Sequence, residues 1–165
     1  MPFQIPSNLH PDCGPVAWLL GEWGGSGRGD YPTIEPFAYE QELVFQQDGR
    51  AFLHYFSRSW LVDEQGQKVA EGAQETGFLR CGPEGRLELV LVHDSGLSEV
   101  WYGQAADGKI ELRTAAIGFT ESATEEAVAG HRLYGNVDGE LLYAVDKQTA
   151  EHELQPHLWA KLQRR

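Results

Sequence analysis

Phe37-Ala38-Tyr39-Glu40-Gln41-Glu42-Leu43-Val44-Phe45-Gln46, then Asp48-Gly49, then Phe52-Leu53-His54-Tyr55-Phe56-Ser57-Arg58-Ser59-Trp60, is the passage that decides the fold. Phe37, Tyr39, Gln41, Leu43 and Phe45 fall on every second position, with Glu40, Glu42 and Gln46 between them. A period of two is the signature of a half-buried strand. Asp48-Gly49 supplies the left-handed residues of a hairpin turn. Phe52, His54, Phe56, Arg58 and Trp60 then share one face of a second strand.

The same grammar continues downstream. Alternating segments cover residues 76–80, 87–92, 98–104, 110–115, 131–137 and 141–146, and a last one follows Pro156. Turns fall at Asp63-Glu64-Gln65-Gly66-Gln67, Gly82-Pro83-Glu84-Gly85, Asp94-Ser95-Gly96, Asp107-Gly108 and Asp138-Gly139, and residues 118–130 form the longest loop. About ten short strands at even spacing indicate a sandwich or barrel. No connection is long enough for a crossover helix, so the strands are antiparallel. The expected architecture is all-β, an antiparallel up-and-down barrel wide enough for one small ligand, as in lipocalins. Upstream, Gly14-Pro15-Val16-Ala17-Trp18-Leu19-Leu20 reads as a short helical turn plugging one end. Residues 1–13 read as an irregular arm, and residues 14–165 as a single barrel domain.

Between plug and first hairpin lies Gly21-Glu22-Trp23-Gly24-Gly25-Ser26-Gly27-Arg28-Gly29-Asp30-Tyr31-Pro32-Thr33. Trp23, Gly25 and Gly27 share one face. Glycine in a strand marks a bend or the close approach of a ligand or another backbone. Spacing alone favours the bend.

The formal net charge of −12 disfavours nucleic acid and anionic membrane surfaces as partners. No basic and apolar leader opens the sequence, and no run of about 18 apolar residues spans a bilayer. The cysteines, Cys13 and Cys81, lack metal or redox spacing, which fits a reducing cytoplasm and leaves one disulfide between them open.

No nucleophile elbow, zincin motif, Walker loop or dinucleotide fingerprint is present. Among the six histidines, His10 and His152 read as solvated, His54 as a hydrogen-bonded wall residue, His93 as a turn residue and His131 as exposed. His157 differs, because Pro156 fixes the backbone before it at the start of the closing strand. Strict alternation puts His157 opposite the Leu158, Ala160 and Leu162 face, so it reaches a cavity only if the strand bends there. Arg28, Arg58, Arg132 and Lys147 read as surface charges, and Glu125 and Glu126 as outer-face acids.

The ordered set Gly21-Glu22-Trp23-Gly24-Gly25-Ser26-Gly27, Tyr31-Pro32-Thr33-Ile34, Glu75-Thr76-Gly77-Phe78-Leu79-Arg80 and Leu154-Gln155-Pro156-His157-Leu158 resembles the nitrobindin family over nearly the whole chain. The resemblance implies a ten-stranded antiparallel β-barrel, related in shape to fatty-acid-binding proteins and holding one haem b, with ferric iron on a single histidine that His157 matches as metal ligand and catalytic residue. It places Thr33 near the haem and makes Gly21, Trp23, Gly25 and Gly27 its signature at the cofactor site. It implies isomerisation of peroxynitrite to nitrate and reversible nitric oxide binding, with small molecules as partners. A monomer and a homodimer are both open from the sequence. The isomerisation has no net electron or proton change, so neither a reductase nor a placed acid/base pair is required, and a dry, apolar distal face suits it. The chain departs from the family pattern at Ala73, where relatives carry a cavity histidine, and at Lys147, where they carry methionine. The competing expectation is a non-catalytic carrier or sensor of a fatty acid or haem, with Arg58 as the carboxylate's partner.

Overall fold

At two of the three Asp-Gly turns both residues are left-handed; at Asp48-Gly49 only Gly49 is, with φ of 91°, and the reversal there widens to residues 47–51. Asp107 and Gly108 have φ of 53° and 72°, and Asp138 and Gly139 have φ of 53° and 83°. Two successive positive φ values are what a two-residue hairpin needs to match strand twist. In the computed structural model, which describes residues 2–165, such reversals join ten strands. They are β1 (Gly21–Tyr31), β2 (Ile34–Gln46), β3 (Phe52–Val62), β4 (Lys68–Cys81), β5 (Arg86–His93), β6 (Leu97–Ala106), β7 (Lys109–Phe119), β8 (Ala129–Val137), β9 (Glu140–Gln148) and β10 (Gln155–Arg164). Each is antiparallel to its chain neighbour, and β1 pairs with β10 to close the barrel. The expected all-β, up-and-down architecture is what forms. Most strands run longer than their alternating segments suggest, and the long loop shortens to residues 120–128. Among the described residues no helix is long and apolar enough to cross a membrane.

Register decides which face is inside. On β2 the buried side chains are Tyr39, Gln41, Leu43 and Phe45. Phe45 pairs with Tyr55, Leu43 with Ser57 and Gln41 with Ser59. Those pairings turn Leu53, Tyr55, Ser57 and Ser59 inward and leave the aromatic face of β3 outside. Arg58 therefore lies on the outer wall, against Trp60 and paired with Glu71 at 3.2 Å.

One end of the barrel is closed. A 3-10 helix, Pro11–Leu19, begins ahead of the helical turn expected at residues 14–20. His10 Nδ1 accepts the Asp12 N–H at 3.1 Å, which starts the helix within the predicted arm. Met1 of that arm lies outside the described residues. The helix buries Cys13, Val16 and Leu19 against Trp23 and the leucine core. Trp23 Nε1 donates to the Leu19 carbonyl at 2.8 Å, and the Arg164 guanidinium lies 4.3 Å over the indole ring. The indole thus fastens the plug to the strand that follows it.

The glycines of β1 make room for rings inside the barrel. A Cβ at Gly27 would overlap the Tyr39 ring, and one at Gly29 would overlap Phe37. Gly29→Ala is expected to destabilise the fold by about 1–3 kcal/mol through overpacking. Gly135→Ala, whose Cβ would meet only Val137 Cγ2 at 3.9 Å, should be tolerated. Urea midpoints of the two variants check this, and equal midpoints would refute the packing role.

Candidate functional site

Opposite the plug, the barrel opens into a cavity of about 500 Å³. Its upper wall is largely apolar, with Phe37, Leu61, Leu97, Val145 and Leu158, and Ala73 sits in it without a polar side chain.

His157 reaches this cavity through a defect in strand pairing. Pro156 pairs with Asp146 and Leu158 with Val145, so His157 is an extra residue bulged out of the β9–β10 ladder. A bulge re-aims side chains, and both His157 and Leu158 line the cavity. The bend that strict alternation demanded is therefore present. The His157 Nδ1 lies 3.1 Å from the Asp30 carbonyl oxygen. A carbonyl only accepts, so Nδ1 carries the proton and Nε2 keeps its lone pair. Among the described residues Nε2 has no hydrogen-bond partner. Tyr31 meets the imidazole edge-on at 5.5 Å and holds its plane. Burial pushes the His157 pKa below its ordinary value, against the Asp30 hydrogen bond and with help from Lys147. The ring is neutral at neutral pH.

The remaining histidines are engaged differently. His54 Nε2 meets Thr76 on the outer wall. His131 bridges Glu111 at 3.0 Å and Asp146 at 3.6 Å. His152 stands edge-on to Tyr31. His93 is a cavity residue, with both ring nitrogens against carboxylates, Nδ1 at 3.3 Å from Glu75 and Nε2 on Glu99.

Below the apolar upper wall the cavity floor is ionic. Arg132, only 5% exposed, reaches from β8 to β4 and binds Glu75 through two 3.0 Å hydrogen bonds. Glu75 also accepts from Tyr55 at 2.7 Å, and Arg132 donates to Tyr134 at 3.0 Å. Burial alone would raise the Glu75 pKa, but Arg132 outweighs it and holds the carboxyl down at about 2. Burial alone would lower His93, but Glu99 and Glu75 outweigh it and raise the imidazole above its usual range. Beside this set a chain of hydroxyls runs from Tyr39 to Tyr143 (2.7 Å), Tyr143 to Gln41 (2.6 Å) and Gln41 to Ser57 (2.7 Å). A wholly dry, apolar interior is thus not what forms. The polar groups bind one another and stay fixed.

At the mouth, Lys147 lines the cavity with its side chain largely buried beside Tyr31, so it is not the surface charge that the sequence suggested. Its Nζ pairs with Glu125 at 3.3 Å, and Glu125 accepts from Ser95 at 2.9 Å. Thr33 is exposed in the turn after Tyr31, at the same end. Gly21, Trp23, Gly25 and Gly27 do not line the cavity. Gly21 and Trp23 lie at the plug, Gly25 packs under β10, and Gly27 backs Tyr39.

Arg132, His93 and Glu125 are not the surface residues that charge and turn context suggested. For Arg132 and His93 the phase of the strand carried the signal, whereas Glu125 lies in the 120–128 loop and has no phase to read. His93 follows the buried Leu87, Leu89 and Leu91 at period two, Glu99 sits between Leu97 and Trp101, and Arg132 is in phase with Tyr134.

Glu75→Gln leaves a buried guanidinium without its counter-charge and is expected to cost about 3–5 kcal/mol in chemical denaturation. The double variant Glu75→Leu, Arg132→Met should recover most of that loss; additive losses would refute the coupling. The depressed Glu75 pKa contributes stability that is complete above the ordinary carboxyl value of 4.5 and disappears as pH falls toward about 2. Wild type should lose stability across that window more steeply than Glu75→Gln.

Comparison with known proteins places this geometry in a family. Residues 12–164 match the model of the "THAP4-like, heme-binding beta-barrel domain". A peroxynitrite isomerase of Nocardioides sp. is 66% identical over 164 residues, covering 99% of both chains. A ferric nitrobindin-like protein of Streptomyces griseus subsp. griseus is 42% identical over 98% of this chain and 85% of the relative. The crystal structure of Rv2717c from M. tuberculosis superposes with a TM-score of 0.84 at 37% identity, covering 95% of this chain and 99% of that one. The chain belongs to the THAP4-like, heme-binding β-barrel family.

Proposed function

We propose that this chain is a ferric-haem protein that isomerises peroxynitrite to nitrate, with one haem b held in the cavity by His157. The observation that carries the ligand assignment is the single neutral imidazole in the wall, protonated at Nδ1 by the Asp30 contact and free at Nε2. A metal-binding histidine ordinarily anchors its other nitrogen in this way. Among the described residues no cluster of three or more His, Cys, Asp or Glu offers a competing metal site. The family and the names of the relatives support the cofactor and the reaction.

When bound through one histidine, ferric haem supplies an open coordination position at which peroxynitrite can rearrange. The protein's own residues do the rest. Asp30 and Tyr31 fix the imidazole's tautomer and plane. Phe37, Leu61, Leu97 and Leu158 exclude water from the upper cavity. The ionisable floor groups pair with one another, while Arg132 Nε and Trp101 Nε1 have no partner among the described residues, and a reaction with no net proton transfer requires none of them as an acid or base. Lys147 places a positive charge at the mouth, partly offset by Glu125. Thr33 belongs to the same rim. The glycines and Trp23 act at a distance, through the wall and the plug.

Reversible nitric oxide binding is part of the same reading, supported by the single-histidine ligation it assumes. One barrel provides every lining residue, so a monomer or a homodimer serves equally. Two buried, unpaired thiols are compatible with a cytoplasmic setting. The fatty-acid-carrier alternative loses its arginine, because Arg58 is on the outer wall and Arg132 is committed to Glu75.

Titration of the cofactor-free protein with hemin should give a saturable, one-to-one Soret band. In His157→Ala that band should be lost or shifted to the blue. Identical weak, non-saturating spectra would overturn the ligand assignment. Because the His157 pKa is depressed, protons compete for Nε2 only in acid. The histidine-ligated spectrum should therefore disappear with a midpoint below pH 6.5, the ordinary histidine value. A midpoint above it would show that another group controls ligation.

A further inference from the structure

The two cysteines, 68 positions apart in sequence, meet at the closed end of the barrel. Cys13 belongs to the plug helix and Cys81 to the end of β4. Both touch the same piece of backbone. Cys13 Sγ lies 3.9 Å from the Arg50 carbonyl, and the Cys81 N–H donates to the Ala51 carbonyl at 2.8 Å. The two side chains are close enough that each perturbs the other's ionisation, and Cys81 Sγ lies 3.7 Å from the Leu79 carbonyl. Cys13 is fully buried, whereas Cys81 keeps 8% exposure and lines a surface groove with Arg50, Arg80 and Arg86. Arg50 and Arg80 are paired with Asp48 and Glu88, while Arg86 has no carboxylate partner among the described residues. Three of the chain's 13 basic residues thus surround its one reachable thiol, in a protein of net charge −12.

We infer that Cys13 and Cys81 are a latent disulfide, closed by a peroxide-class oxidant, that staples the plug to the barrel wall. The oxidant, peroxynitrous acid or hydrogen peroxide, gives one oxygen to the Cys81 sulfur. The products are a sulfenic acid and, respectively, nitrous acid or water. The Cys13 sulfur then displaces that oxygen, and the two thiol hydrogens leave with it as water. The two sulfurs are oxidised by two electrons in total, and the peroxide is reduced by two. Burial raises both thiol pKa values, so thiolate is scarce and closure is slow. The pair therefore answers a sustained oxidant load. A bond between plug and β4 restricts the unfolded chain across nearly half its length, which stabilises the fold. The inference does not depend on the haem reading, because the groove lies at the opposite end from His157.

The test is a thiol count on the haem-loaded and haem-free wild-type protein after peroxynitrite, hydrogen peroxide or the thiol oxidant diamide, with alkylation in denaturant. The expected result is loss of both thiols, a mass decrease of two hydrogens and one cross-linked peptide containing Cys13 and Cys81, with both thiols restored by dithiothreitol. The melting temperature should rise by several degrees on oxidation and fall back on reduction. Neither change should occur in Cys13→Ser or Cys81→Ser, and the thiol count stands even if a variant fails to fold. Two alkylatable thiols persisting in all oxidant arms, oxygen added to Cys81 alone, or cross-linking only between molecules would each overturn the proposal. A haem-titration failure accompanied by normal disulfide closure would count against the haem reading alone.

Discussion

The ion pair between Arg132 and Glu75 divides the barrel in two. It joins β8 to β4 across the lumen, strands that share no ladder. Placing a guanidinium and a carboxylate in an interior is costly unless geometry is good and the remaining hydrogen-bonding capacity is met. Tyr55, Tyr134 and His93 meet much of it, and Glu99 in turn engages His93. Below the pair the lumen is packed with leucines down to the plug. Above it the lumen is open. The floor's position, and hence the depth left for a ligand, follows from where this network sits.

The same network explains why the interior can be polar without being reactive. Most of its hydrogen-bonding capacity is spent within the floor, and the charges balance when His93 holds its proton between two carboxylates. Of the two cavity histidines, His157 is the one with one nitrogen anchored and the other free. That difference in satisfaction separates a structural histidine from a candidate ligand more sharply than burial does, since both rings are largely buried.

The barrel was legible from the sequence because it rests on strictly local signals. Alternation along β2, left-handed Asp-Gly turns and the absence of crossover lengths all speak through neighbouring residues. His157 was legible through Pro156 and the family resemblance, whereas the bulge that brings it inward is a matter of pairing with β9 and leaves no local mark. The inner face of β3 was hidden for a similar reason. Its outer face carries the larger aromatics, and only the register with β2 shows that Tyr55 and the two serines point inward. Arg132, Glu75 and Glu99 were hidden by their charge, because a charged residue in phase with a buried face is reasonable only once its partner on another strand is known.

Up-and-down topology then assigns tasks to the two ends. At the closed end three of the four hairpins turn within two to four residues, which suits a rigid floor and a fixed plug. At the open end the reversals vary from the Pro32-Thr33 turn to the 120–128 loop. They supply Ser95 and Glu125 to the rim, beside Tyr31 at the end of β1 and Lys147 near the end of β9. Loops carried on a rigid frame can change without disturbing it. The departures at Ala73 and Lys147 sit in the open half, where Lys147 pairs with Glu125 of the 120–128 loop. The geometry of the frame and the changed chemistry of the mouth are therefore compatible, because the ionic floor separates the packing that fixes the barrel from the space that holds the ligand.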